Sequence, residues 1–435
     1  IGSNSAPNLP PLDPDGDPRS ADGDADGTAV ADIGWDEFDP LIVPTEYATI
    51  QAAIDAAADS ETIIVRQGEY LENINFKGKA VQMISRSGRE ITVIDGGQQD
   101  ATVVFDSNEG AETVLSGFTI INGNSLNGGG IRCDGASPVI TSNEISGNLA
   151  TYGSGIHCMN EAAPILTNNV IVDNFSEYGA GVCSVGAFPI ITNNSILNNA
   201  ASQEGGGISS LLLSNVKVTN TILWGNTALT GDQIYIGDTV DPSIVTISYS
   251  DVEGGPAGAH VETYCILNWN SGMIDADPTM VDMAGGDYHL LFTSPCRDAG
   301  NDLALKRPER DFDGNPRTDY ANTDIGADEF SRYFYITGDK VPEGDIEGKL
   351  VGTPGTAQVG LWFAFSVLNP PMPSSFGPFY LAPPTIGPIP LFPIPATGVE
   401  IISTRLPEDP PGPYEVPMQA IIGTQFTPLY ILHVQ

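Results

Sequence analysis

The chain has 435 residues, 55 of them Asp or Glu against 17 Lys or Arg, which leaves a formal charge of -38 at pH 7. So acidic a surface repels a phosphate backbone, which excludes nucleic acid as a partner, and no apolar run is long enough to span a bilayer. Five cysteines in this length do not make a disulfide scaffold, and their spacing lacks a zinc pattern.

The first segment, DPDGDPRSADGDADGTAVADIGWDEF from Asp13 to Phe38, ends on a phrase that returns as DFDGNPRTDYANTDIGADEF from Asp311 to Phe330. Asp13, Asp15 and Arg19 fall on Asp311, Asp313 and Arg317, and Asp32, Glu37 and Phe38 on Asp324, Glu329 and Phe330. The shared part supplies an Asp-Gly turn, an Arg able to pair with a carboxylate and a short apolar strand. Such a unit suits the C-terminal end of a solenoid. Asp22, Asp24 and Asp26 stand at positions one, three and five of a calcium loop with Gly27 sixth, yet position twelve is Ile33 rather than Glu, so an EF-hand is not expected. A looser calcium site from these three, or from Asp13, Asp15 and Asp17, is the metal expectation, against a solvated acidic loop.

Next, Ile50, Ala53, Ile54 and Ala57 share one helical face ahead of the run TIIVRQ, which predicts a helix laid across the open end of a solenoid. Between Gly128 and Asn226 the chain repeats itself at steps of 25 or 26 residues. Ile131, Ile156, Val182, Ile208 and Ile234 form one column; Asn143, Asn169, Asn194 and Asn220 a second; Ile145, Ile171, Ile196 and Ile222 a third. Short β-branched runs separated by Gly and Asn at this period predict one solenoid turn per repeat, with apolar columns stacked inward and Asn ladders at the bends. From about Thr62 to Cys296 there is room for roughly nine turns and a rod on the order of 40 Å. Beyond Phe330, Pro-rich connections separate short strand-like runs such as LWFAFSVL and LYILHV, which reads as a small β-sandwich.

The segments TIQAAIDAA, TIIVRQGEYLENINFKGKAVQMIS, VIDGG, LSGFTIINGN and GGGIRC resemble the right-handed parallel β-helix superfamily typified by pectate lyases, in the form found in secreted bacterial surface proteins. SPCRDAGN with DFDGNPR and DIGADEF is similar to the closing, choice-of-anchor module of such proteins. The resemblance implies an all-β chain divided into an acidic segment (1–40), a β-helix with its closing module (41–332) and a Pro-rich β-sandwich (333–435). It implies an extracellular or cell-surface place, and leaves function open, because the superfamily includes lyases, hydrolases, adhesins and structural spikes.

For chemistry, the sequence offers Arg132 beside His157, outward on neighbouring coils, with Cys183 near the next rung; as a catalytic or binding spot it competes with an ordinary surface stack. Cys133 and Cys158 lie in one inward column and pack as small apolar groups, while Cys265 and Cys296 are a pair that an oxidising compartment would let join. The acids of the repeat region occupy different repeat positions and form no stacked triad. The leading expectation is a non-catalytic structural subunit of a filament, layer or matrix. Residues 1–38 would cap a second copy head-to-tail. The alternative is a polysaccharide-binding or polysaccharide-degrading β-helix.

Overall fold

In the computed structural model the described residues are 40–330, except 238–239, 292 and 318–321, and beyond 330 only the backbone strands between Tyr335 and Val434. Two compact units divide the chain, one of residues 40–278 with 298–329, the other of 279–297 with 330–435.

In the first unit each coil turns where Asn or Gly enters the left-handed region, as Asn168, Asn193 and Asn220 do at φ 56, 54 and 50°; Asn tolerates that conformation because its side chain bonds locally. Between turns run strands of two to five residues, and every strand of the solenoid pairs in parallel with its copy on the next coil. Four sheets result, numbered here in the order one coil visits them. Sheet I has ten strands, Leu41–Val43 to Ile266–Trp269; sheet II has eight, Gly68–Leu71 to Asp251–Val252; sheet III has four, Asn124–Asn127 to Ala200–Glu204; sheet IV has eight, Ile74–Asn75 to Ala259–Val261. At about 4.8 Å per rise, ten strands give a rod of roughly 43 Å. The strand Leu41–Val43 precedes the capping helix and pairs with Thr62–Val65, one coil earlier than the sequence places the first strand.

The helix, Ile50–Ala56, buries Ile50, Ala53 and Ile54 as its spacing predicts. Its exposed amides are met by Thr49, whose hydroxyl accepts from Ala52, and by Glu72, whose carboxylate accepts from Ile50 and Gln51 at 2.9 and 3.0 Å. Inside the rod, Ile131, Ile156, Val182, Ile208 and Ile234 stack in register, and each such buried side chain contributes roughly 1.5–3 kcal/mol.

Two expected columns need correction at their last member. Ile196 stacks on Leu223, and Ile222 lies beside Ser195 on the outer face. Likewise the inward ladder runs Asn143, Asn169, Asn194 and then Thr221, whose hydroxyl accepts from the Asn194 amide. Asn220 belongs instead to an outward column with Asn193, to whose side-chain oxygen it donates. The coil holding these residues spans 27 positions between stacked partners, and Leu212 and Leu213, both at positive φ, lie in the turn on the way to it. A second inward ladder went unseen: Asn148, Asn174, Asn199 and Asn226, each amide donating to the next side-chain oxygen at 2.9–3.0 Å.

Sheet II is apolar on both faces over Val170–Val172 and buried there on both. Residues 298–317 and 322–329 run along its flank as a strap. Ala327 donates to Ser195 Oγ at 3.1 Å, Asn193 Nδ2 donates to Asp324 O at 3.1 Å, and Asn220 exchanges two bonds with the Asn301 backbone. At the far end Arg89 bonds Phe312 O and Asp313, with its guanidinium over the Phe312 ring. The anchor is Arg317, 0% exposed, whose Nη2 donates to Asn168 Oδ1 at 2.7 Å and to the carbonyls of Gly326 and Ala327. The downstream copy of the phrase is thus a lateral strap, and the sequence expectation of an end closure is corrected accordingly: its Arg finds acceptors on the side of the rod.

The second unit holds an antiparallel pair, Met280–Asp282 with Asp287–Leu290, and antiparallel strands beyond residue 330 in sheets of three, six and two. This is the all-β C-terminal region expected.

Candidate functional site

The outward column of sheet IV reads Val104, Arg132, His157, Cys183, Ser209, Tyr235 and His260 in unbroken register. The sequence placed Arg132, His157 and Cys183 outward and adjacent, and so they are. They are not, however, an open surface stack: His157 is 2% exposed and Cys183 and Ser209 are 0%. Sheet III is the reason. Its strands leave the sheet II corner and return through a Gly-x-Gly bend, setting Tyr152 and Tyr178 over the column. The Tyr152 ring lies 6.3 Å from the imidazole at 21° and 5.1 Å from the Tyr178 ring at 15°. The bend requires glycine: at Gly153, φ 62°, a Cβ would meet those of His157 and Cys183 at 2.8 and 2.9 Å.

Beneath the tyrosines the polar groups are unsatisfied. Neither nitrogen of His157 has a hydrogen-bond partner, nor does Ser209 Oγ, nor Ser176 Oγ on the flap that sheet III forms over sheet IV. Burial holds His157 down to about 4, with Arg132 adding to the effect against Asp134, so the ring is neutral near pH 7 with one nitrogen a donor and the other an acceptor. Burial pushes the Cys183 thiol well up, helped by Cys158. Cys183 and His157 are therefore not a thiolate–imidazolium pair.

At one end of the strip Arg132 stands 3.7 Å from Asp100 and 3.9 Å from Asp106, with Asp134 receiving a bond from Asn160 one coil on. At the other end Tyr235 stacks on His260 at 5.4 Å, and His260 Nε2 is 3.1 Å from Glu262. Arg, carboxylates, amides and aromatic faces along one edge are the groups that bind a hydroxyl-rich chain. Sequence reasoning missed Tyr152 and Tyr178, although each precedes a Gly-x-Gly in its repeat, as TYGSG and EYGAG.

The calcium candidates Asp13, Asp15, Asp17, Asp22, Asp24 and Asp26 lie outside the described residues. In the downstream copy, Asp311, the counterpart of Asp13, spends its carboxylate on the amides of Asp313, Asn315 and Glu329 and on the Asn315 side chain; there the acid organises a turn. Cys133, Cys158 and Cys183 are free thiols, with Cys133 stacked on Cys158 inside the rod.

Residues 74–265 match the family model described as "Right handed beta helix region", and the solenoid is a right-handed parallel β-helix. No curated protein matches. Among solved structures the chain is similar to a pectin methylesterase from carrot, at 15% identity over 55% of this chain and 83% of that one with a TM-score of 0.32. It is also similar to the pectate lyase Pel9A, at 12% identity over 67% and 96% with a TM-score of 0.39. No helix among the described residues is long and apolar enough to cross a membrane.

Proposed function

We propose that this is an extracellular β-helix that binds a polysaccharide along the edge where sheet III covers sheet IV. The observation that carries the reading is His157, buried with both nitrogens unpartnered beneath Tyr152 and beside Arg132. A buried polar group without a partner costs free energy that a hydroxyl would offset once the sheet III strand carrying Tyr152 shifts to admit it. Arg132 and its flanking carboxylates would take further hydroxyls, and the Tyr152–Tyr178 edge would meet a sugar face. Affinity electrophoresis through gels of neutral and acidic polysaccharides tests this. At least one polymer should retard the protein, Tyr152→Ala and Arg132→Ala should each weaken binding about tenfold or more, roughly the loss of one good contact, and the polymer should keep its length. Retardation that survives both substitutions sinks the proposal.

A second reading, a structural subunit joined to its neighbours by terminal phrases, is favoured by the strap, because Arg317 shows how such a phrase grips a β-helix. If it holds, deleting residues 1–38 will change the assemblies seen by electron microscopy; unchanged assemblies oppose it.

A further inference from the structure

The strip between sheets III and IV carries different chemistry beneath its cover and at its rim. The groups beneath the cover bear no charge. Ser209 and Ser176 present hydroxyls, 0% exposed and unpartnered, and burial holds His157 down to about 4, so the ring is neutral near pH 7.

The rim is acidic. The flap edge runs Asn127, Tyr152, Tyr178 and Glu204 in register beside the outward column of sheet IV, and Arg132 is the single Lys or Arg in the two columns. Its guanidinium lies between Asp100 and Asp106 at 3.7 and 3.9 Å, and the Asp100 side chain is 60% exposed. Asp134 follows on the same strand. At the other end the Tyr235 hydroxyl donates to Glu204, and Glu262 lies 3.1 Å from His260. Burial first, then Glu204 and Glu262, pushes the Tyr235 phenol up, which places both carboxylates near that hydroxyl. One guanidinium thus stands among five carboxylates, already held by two of them.

Like charges 6 Å apart cost roughly a factor of three in affinity per pair even at the dielectric of water, and more where sheet III excludes water. A polymer with a carboxylate on every residue meets that cost repeatedly along the rim. A neutral sugar does not. Its hydroxyls donate to the carboxylates and exchange hydrogen bonds with the imidazole and the serines, while its apolar face meets Tyr152 and Tyr178, whose rings lie 5.1 Å apart and within 15° of parallel.

We infer that the strip selects neutral polysaccharides and turns away polyuronates. The inference rests on the reading of the strip as a glycan site and adds the class of glycan.

Affinity electrophoresis of the full chain tests it, through a neutral panel of galactan, xylan, mannan and mixed-linkage glucan and an acidic panel of polygalacturonate and alginate, each with calcium and with a chelator. A neutral polymer should bind at least tenfold tighter than either polyuronate, and should still retard the protein at about 1 M salt, where the Debye length is roughly 3 Å. Glu204→Gln with Glu262→Gln should narrow the gap about tenfold, roughly threefold for each carboxylate removed. Tighter binding to polygalacturonate or alginate, with or without calcium, overturns the inference and leaves the glycan site standing; retardation by neither panel overturns both. A gap that the double variant leaves unchanged shows that the rim does not set the choice and rejects the inference. Should the double variant fail to fold, Glu204→Gln alone must narrow the gap about threefold, and an unchanged gap there rejects it equally.

Discussion

Two outward faces of the rod are covered, sheet II by the strap and sheet IV by sheet III, and they are covered differently. On sheet II the strap meets the side chains it hides: Asn168, Asn193, Ser195 and Asn220 each bond strap atoms, and Arg317 engages both terminal nitrogens. On sheet IV the flap hides His157 and Ser209 and bonds neither of their side chains, and its own Ser176 Oγ is unpartnered too. A cover that serves only stability satisfies what it buries. The contrast is one of degree, since Arg317 Nε in the strap also lacks a hydrogen-bond partner, but the cover of sheet II bonds the side chains it hides and the cover of sheet IV does not.

Arg317→Ala should separate the two faces most sharply. It leaves Asn168 Oδ1 and the carbonyls of Gly326 and Ala327 without their donor, and removal of a buried charged partner costs about 3–5 kcal/mol. Chemical denaturation should show that loss while glycan retardation is unchanged; equal loss of both means the faces are not independent.

Asn169→Ala comes next, at about 1–3 kcal/mol, because the Asn169 carboxamide serves the Asn143 amide and side chain as well as Ile140 O. A denaturation midpoint within error of wild type denies that the ladder carries stability. This ladder also shows how far the sequence could be read. Its first three rungs were legible, because an Asn two residues before an inward Ile recurs at a nearly constant step. The fourth was not: Asn220-Thr221-Ile222 imitates the pattern while the stacked partner of Asn194 is Thr221. A hydroxyl does the work of an amide there, and spacing cannot distinguish the two. The flap was hidden for a similar reason. Its strands keep the period, so the repeat looks like a plain coil, and only the Gly-x-Gly bends after Tyr152 and Tyr178 record that the chain leaves the rod and comes back. Arg132 and His157 were found from their spacing, but their burial belongs to residues on another strand.

A pH series sharpens the contrast further. Burial first, then Asp324, pushes Glu329 up to about 9, against the pull of Arg317. A carboxyl whose folded value lies above its unfolded value of 4.5 contributes stability in full below that unfolded value and loses it as pH rises toward the folded one, by up to about 1.4 kcal/mol per unit. Strap protection against protease should fall between pH 5 and 9, with the Asp311, Asp324 and Asp328 carboxylates around it, and Glu329→Gln should flatten the slope. An unchanged slope assigns it to those neighbours.

The smallest effect on stability belongs to His157, and it is the most informative about sheet IV. Its folded value, about 4, lies below the ordinary 6.5, so the unfolded chain binds the proton first and stability falls as pH drops from 6.5 toward 4. His157→Phe removes that slope along with two unpartnered polar atoms, and replacing an unsatisfied buried group by an apolar one of similar shape is close to neutral. At pH 7 the variant should therefore unfold within about 1 kcal/mol of wild type yet lose glycan retardation. A variant that is much less stable has lost hydrogen bonds within the folded chain, and sheet IV would then be a satisfied cover like sheet II. One that is stable and still binds shows that the imidazole is not what the ligand meets.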